Sequence, residues 1–223
     1  MTVSASIPWR RWGVAGADAR AYLHSQATQD LTGSLAGAGR WTGFLAPTGE
    51  LQAVALVAER GDELELLVPE ELAGALRARL ERFVLRSRVR FEDRGPAPGP
   101  YPDTAELVAA RWPGPHELAR QLTPHAFGRA FVEATVSFTK GCYPGQELVA
   151  RLESRGSLPP WRLVWGRARD AERLDAFVRS AGPAGPQGLT TVVAGPDGEI
   201  RALGIAHRTL PAAPPGLEVD VVA

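Results

Sequence analysis

One short segment of the chain gathers groups that do much of the chemistry in proteins. Its sequence, Lys140-Gly141-Cys142-Tyr143-Pro144-Gly145-Gln146-Glu147, places an ammonium, a thiol and a carboxylate close together. We predict a helix over residues 146–154 with Pro144 suiting its first turn, so that Cys142 lies just before a helix N-terminus. Free N–H groups, the helix dipole and the ammonium of Lys140 all favour a thiolate there. Cys142 is therefore a candidate nucleophile, redox group or ligand of an external metal centre; the equally weighted alternative is a small residue in a tight turn.

Lys140 stands out because the chain contains 24 arginines and this single lysine. Arginine is a planar fork that stays charged, whereas lysine is a compact ammonium whose pKa shifts readily. For a lysine kept in such a sequence, two residues from the single cysteine, we favour a task that arginine cannot do over the alternative of chance. We therefore count Lys140 with Cys142 as a candidate catalytic residue.

Charged residues along the predicted helix share one face. Glu147, Arg151 and Arg155 follow one another at intervals of four residues, and glutamate four residues before arginine is the favourable order. A solvated row of ion pairs is the simplest interpretation for Arg155. Glu147 lies in the first turn beside the thiol, which favours a binding role.

A second basic stretch runs from Arg77 to Arg94 and contains seven arginines. Such a run holds carboxylates or phosphates well. Acidic residues such as Glu59, Glu63 and Glu70 precede it, and we favour a solvated, balanced surface over an anion site. The six tryptophans are mainly expected in the core, although Trp9 is suited to stack on a flat heteroaromatic ligand.

Composition excludes several classes of protein. The 223 residues carry 25 basic and 25 acidic side chains, and this zero net charge disfavours a dedicated nucleic-acid binder. One cysteine excludes a disulfide framework within the chain, and with four dispersed histidines we expect no metal site. We find neither a signal sequence nor an apolar run near the length of a membrane span, so we expect a soluble, cytoplasmic protein.

The order of predicted elements favours an α+β fold. Strands and helices alternate irregularly up to residue 94, with a hairpin at Pro47-Thr48-Gly49 and an amphipathic helix from about Glu70. A Gly/Pro-rich connection follows at 95–102. From Trp161 onward, short strands separated by Gly/Pro turns predict a small barrel or sandwich.

Three stretches of the sequence carry a family resemblance. The 140–156 stretch, KGCYPGQELVARLESRG, is similar to the signature K-G-C-Y-x-G-Q-E-x-x-A-R-x-x-x-R-G of the YgfZ family of folate-binding proteins, which are relatives of the glycine-cleavage T-protein, an aminomethyltransferase. Residues 16–30, which include Gln26-Ala27-Thr28-Gln29-Asp30, are similar to a second family segment, and Leu203-Gly204-Ile205 resembles a pattern of the last domain.

The resemblance implies two interleaved α+β subdomains and a C-terminal β-barrel around a tetrahydrofolate site. It divides the chain into a folate-binding region, 1–157, with an inserted subdomain at about 40–94, and a barrel domain, 158–223. It also implies a role in assembling or maintaining iron–sulfur clusters, with effects on tRNA-modifying enzymes that carry them. By position, Cys142 matches the cysteine on which the family's function depends, and Trp9 matches a family tryptophan that contacts folate. Trp112 is a looser counterpart of a second folate-contacting aromatic residue. The residues that match the surrounding motif are Lys140, Tyr143, Gln146, Glu147, Arg151 and Arg155.

Three functional hypotheses remain open at this point. We favour a tetrahydrofolate-binding accessory protein that serves iron–sulfur enzymes or their assembly factors. The second hypothesis is a tetrahydrofolate-dependent aminomethyltransferase or methyltransferase. The third is a folate- or RNA-binding module without chemistry, in which the arginines of 77–94 contact tRNA and Cys142 is dispensable.

Overall fold

The computed structural model describes residues 5–222, which form nine strands, seven α-helices and two 3₁₀ turns within that range. The strands are β1 (Trp9–Ala15), β2 (Arg40–Leu45), β3 (Leu51–Arg60), β4 (Glu63–Pro69), β5 (Arg90–Ala97), β6 (Trp161–Ala168), β7 (Gly188–Ala194), β8 (Ile200–His207) and β9 (Leu217–Val221). The helices are α1 (Ala19–Gln26), α2 (Glu70–Arg82), α3 (Thr104–Ala110), α4 (Pro115–Leu118), α5 (Arg129–Thr135), α6 (Gln146–Arg155) and α7 (Ala171–Arg179).

The N-terminal strands form one antiparallel sheet in the order β2-β3-β4-β1-β5. The predicted hairpin at 47–49 joins β2 to β3 and is confirmed. Helices α1 and α2 bring Leu23, Leu76 and Leu80 into a core with Trp12 and Phe44 of the strands. The leucine spacing that predicted α2 is the spacing that places this apolar face on the sheet.

The C-terminal strands form an open antiparallel sheet in the order β7-β8-β6-β9. The α+β class predicted from the sequence is confirmed, but no closed barrel forms among residues 158–222. The reason lies in how the sheet is covered. On one face Leu174 and Val178 of α7 pack against Val164, and on the other Leu163 and Trp165 join the central core. Four strands covered on both sides have no need to close on themselves.

One buried cluster connects the two sheets through the middle of the chain. It combines Leu45 and Leu51 from β2 and β3 with Phe131 of α5 and Leu163 of β6. A polar link supplements it, because the fully buried Glu117 of α4 accepts hydrogen bonds from Gly114 N–H and from Thr191 of β7, both at 2.7 Å. The domain boundaries at 40–94 and at 157/158 stay predictions.

Candidate functional site

The 140–147 loop is held in place by its lysine. Lys140 Nζ donates hydrogen bonds to the carbonyl oxygens of His24, at 2.5 Å, and Ala27, at 2.6 Å. Both carbonyls belong to the C-terminal end of α1, where the last peptide groups lack helical partners and the dipole favours a cation. A compact ammonium with three donors fits between two carbonyls in a way that a planar guanidinium does not.

The loop's environment changes the acidity of its ionisable groups. Burial lowers the pKa of Lys140 from 10.5 to about 8, against the attraction of Asp30 and Cys142, which raise it. Its ammonium also lies 4.9 Å from the centre of the Tyr143 ring. Tyr143 is buried, and burial raises the pKa of its hydroxyl to about 12. At neutral pH the lysine is therefore a cation and the tyrosine a neutral phenol.

The stretch from Gln26 to Asp30 fixes the end of α1 to two other elements. Thr28 Oγ1 donates to Thr135 O of α5 at 2.5 Å and accepts from Gly43 N–H of β2 at 2.8 Å. Gln29 Nε2 donates to Ala134 O at 3.1 Å. Two of the stretches that carry the family resemblance, 16–30 and 140–156, meet through Lys140, whose ammonium donates to the carbonyl oxygens of His24 and Ala27.

Two glycines let the loop approach the β2–β3 turn. Gly145 has φ +81°, and a Cβ there would lie 2.4 Å from Ala46 O. A Cβ on Gly49 would lie 2.8 Å from Leu148 Cβ of α6. Helix α6 begins at Gln146 with Gly145 as its N-cap, so the predicted helix is confirmed within two residues of each end. Gly141 is different, because a Cβ there would meet nothing within 4 Å.

Cys142 lies three positions before the N-cap of α6, and its thiol is free and exposed. Burial in a tight turn, the structural alternative, does not describe it. On α6 itself, Gln146 is half-buried and Glu147, Arg151 and Arg155 are exposed. These side chains are accessible to a ligand, although their roles stay predictions.

Trp9 and Trp112, the two predicted stacking residues, belong to one aromatic cluster. Trp41 connects them, with ring centres 6.1 Å from Trp9 and 5.5 Å from Trp112. Tyr101 stacks on Trp41 at 6.3 Å and accepts a hydrogen bond from Trp9 Nε1 through its carbonyl oxygen, at 3.1 Å. Trp41 and Tyr101 were not predicted to join Trp9 and Trp112; the presence of a tyrosine within the Gly/Pro-rich 95–102 segment was the available signal.

Trp9 is covered within the aromatic cluster, whereas Trp41, Tyr101 and Trp112 are half-buried. Trp9 is 4% exposed, and the space enclosed by its neighbours is about 10 Å³, the room of a single water molecule. Gly99 covers the indole so closely that a Cβ there would lie 2.1 Å from Trp9 Cδ1. A flat ligand would reach Trp9 only after the 95–102 segment moves.

A larger opening, which we call the basic cleft, lies beside the 140–147 loop. Its volume is about 490 Å³, and its lining residues are Gln26, Pro47, Gln52, Arg79, Arg82, Phe83 and Pro144. The cleft has cationic and apolar walls and no carboxylate among these lining residues. Arg79 donates to Leu45 O at 3.0 Å, and burial lowers its pKa. No local sequence pattern indicates this cleft, because its walls come from four separate segments.

Two kinds of feature are not found within residues 5–222. In this range no three His, Cys, Asp or Glu side chains are grouped in a way that could hold a metal ion. In the same residues no helix has the length and apolar character that crossing a bilayer requires.

Comparison with solved structures relates this arrangement to a known fold. The chain superposes on the crystal structure of glycine cleavage system aminomethyltransferase T from Bartonella henselae with a TM-score of 0.61, over 96% of this chain and 83% of that one. The chain has a T-protein-like fold. Sequence identity between the two is 14%, so the likeness concerns the fold alone.

Sequence comparisons add little beyond the T-protein-like fold. No protein-family model matches the sequence. An uncharacterized protein of Haemophilus influenzae is 28% identical over 184 residues, a match that covers 65% of this chain and 66% of that protein. The matched part therefore spans just under two thirds of the relative's length.

Proposed function

We propose that this chain is a tetrahydrofolate-binding accessory protein of the YgfZ type that supports the assembly or maintenance of iron–sulfur clusters through Cys142. The observation that carries the proposal is the junction of the two motif stretches, where Lys140 ties the loop to α1 and Cys142 is exposed. An exposed thiol on a loop held by two part-buried hydrogen bonds of Lys140 is available to a partner while its backbone stays ordered.

The folate part of the proposal is supported by the T-protein-like fold and by the aromatic cluster. A pterin ring stacks well on indole faces, and Trp9, Trp41 and Trp112 supply three of them in one place. Because Gly99 covers Trp9, stacking of a pterin on the Trp9 indole is coupled to movement of the 95–102 segment. The carboxylates of the folate's glutamate tail would meet exposed arginines, for which Arg151 and Arg155 are the candidates. Tyr143, Gln146 and Glu147 complete the proposed ligand-binding set.

Complementation of cells that lack this protein tests the role of the Cys142 thiol. We expect Cys142→Ala to fold normally, because the side chain is exposed, and to fail to restore the activity of iron–sulfur enzymes, including those that modify tRNA. Ser157→Ala, at another exposed position outside the motif, is the matched control and restores activity. Full restoration by the Cys142→Ala variant would refute the proposal.

The alternative is a tetrahydrofolate-dependent aminomethyltransferase or methyltransferase, and its support is that the structural neighbour is an aminomethyltransferase. It predicts turnover of a one-carbon donor in the presence of tetrahydrofolate. The accessory role predicts binding without turnover. An assay with an aminomethyl or methyl donor, followed by mass spectrometry of the folate, separates the two.

A further inference from the structure

The arginines of the basic run fall into two groups. Arg77, Arg88 and Arg90 lie 2.8, 3.3 and 3.8 Å from the carboxylates of Glu81, Asp18 and Glu63, and Arg94 also pairs with Glu63. The remaining three, Arg79, Arg82 and Arg86, have no carboxylate within ion-pair distance among residues 5–222. Arg79 and Arg82 lie in the last turn of α2, where the helix dipole favours cations, but this does not apply to Arg86, which follows the helix.

Apolar side chains are exposed at the same place. Phe83 is 47% and Leu85 86% exposed, in a chain of which the described part buries most large apolar residues. Leu85 has φ +46°, a left-handed backbone conformation that L side chains rarely adopt. We call residues 82–86, Arg-Phe-Val-Leu-Arg, the tip. It presents two apolar groups between two arginines and adjoins the basic cleft, which Arg82 and Phe83 help to line.

We propose that the tip and the basic cleft form a docking surface for an acidic, apolar segment of another protein. Charge complementarity predicts a negatively charged partner, because the surface has three arginines without a carboxylate partner in the described part of the chain. Leu85, at 86% exposed against 47% for Phe83, supplies most of the exposed apolar surface, and an aliphatic side chain packs against apolar side chains rather than stacking on bases, which favours a protein over RNA. A concave cleft beside the tip suits a chain segment better than a planar lipid surface does.

The docking surface extends the proposed function, since Pro144 lines the cleft two residues after Cys142. A segment seated there is held next to the loop that carries the thiol. The surface would thus select the proteins on which Cys142 acts. Binding at the tip does not itself require folate or the thiol, so the two proposals fail separately.

The test measures fluorescence anisotropy of a labelled twelve-residue peptide of alternating glutamate and leucine, titrated with the full chain. We expect binding that weakens roughly tenfold or more in Arg86→Glu and in Leu85→Gly. Leu85→Gly is informative because glycine tolerates the positive φ, so its melting temperature should equal or exceed that of the parent chain. Arg169→Glu, an exposed arginine before α7, is the matched control and binds as the parent does.

Specificity is tested with companion probes. Peptides with serine in place of leucine, or lysine in place of glutamate, are expected not to bind. The inference is overturned if the parent chain does not bind the acidic peptide, if the tip variants bind it unchanged, or if tRNA or anionic vesicles displace it and lose affinity in the same variants. Folate titration of the tip variants is expected to match the parent. If the parent chain bound the acidic peptide but not folate, only the proposed function would be contradicted.

Discussion

At the scale of the residue, Lys140 joins both stretches of the motif. Its ammonium contacts two carbonyls at the end of α1, so Lys140→Met leaves both without a donor. We expect this variant to lose about 1–3 kcal/mol of unfolding free energy in urea denaturation. Lys140→Arg keeps the charge but not the shape, and an intermediate loss is expected. Parent-like stability of the Met variant would show that the contact contributes nothing.

The same residue makes stability depend on pH in a defined direction. The pKa of Lys140 is about 8 in the folded chain and 10.5 when solvated, so between these values the unfolded chain binds more protons. The unfolding free energy that depends on Lys140 therefore rises as pH increases from 8 to 10.5. Subtracting the Lys140→Met curve from the parent curve isolates this contribution. A difference that is flat or falls over this range would contradict the assignment.

At the scale of the element, two glycines of the same loop provide a matched pair. Gly145→Ala combines a strained φ with a Cβ 2.4 Å from Ala46 O, and we expect a loss of about 2–4 kcal/mol. Gly141→Ala meets nothing within 4 Å, and a change within about 0.5 kcal/mol is expected. Thermal unfolding of the two variants checks both values. Equal losses of stability in the two variants would mean that Gly145 is not in close contact with the β2–β3 turn.

Individual helices and turns were predicted well from local sequence patterns. Leucine spacing located α2, and Pro47-Thr48-Gly49 located the first hairpin. The open C-terminal sheet was missed, because strand patterns show which residues are buried but not what buries them. Only the packing of Leu174 and Val178 shows that a helix covers one face. Likewise, the sequence singled out Trp9 and Trp112 but not Trp41 between them, since spatial neighbours from distant segments leave no local pattern.

At the scale of the whole molecule, the cluster that joins the sheets predicts cooperative unfolding. Leu45 and Phe131 from the first part share one core with Leu163 and Ile205 from the second. We expect a single transition in which tryptophan fluorescence and far-ultraviolet circular dichroism coincide. A chain ending at residue 157 would expose this core and should not fold. Two separated transitions, or a folded fragment, would instead support independent domains.

Tetrahydrofolate binding can be measured by titration of tryptophan fluorescence. We expect quenching in the parent chain, and a roughly tenfold or greater loss of affinity in Trp9→Phe, where the stacking face shrinks. Trp161→Phe, in the C-terminal sheet, is the control and should bind as the parent does. Calorimetry of the same samples separates lost binding from a lost fluorophore. Absence of binding by the parent chain, or unchanged affinity in Trp9→Phe, would contradict tetrahydrofolate binding at Trp9.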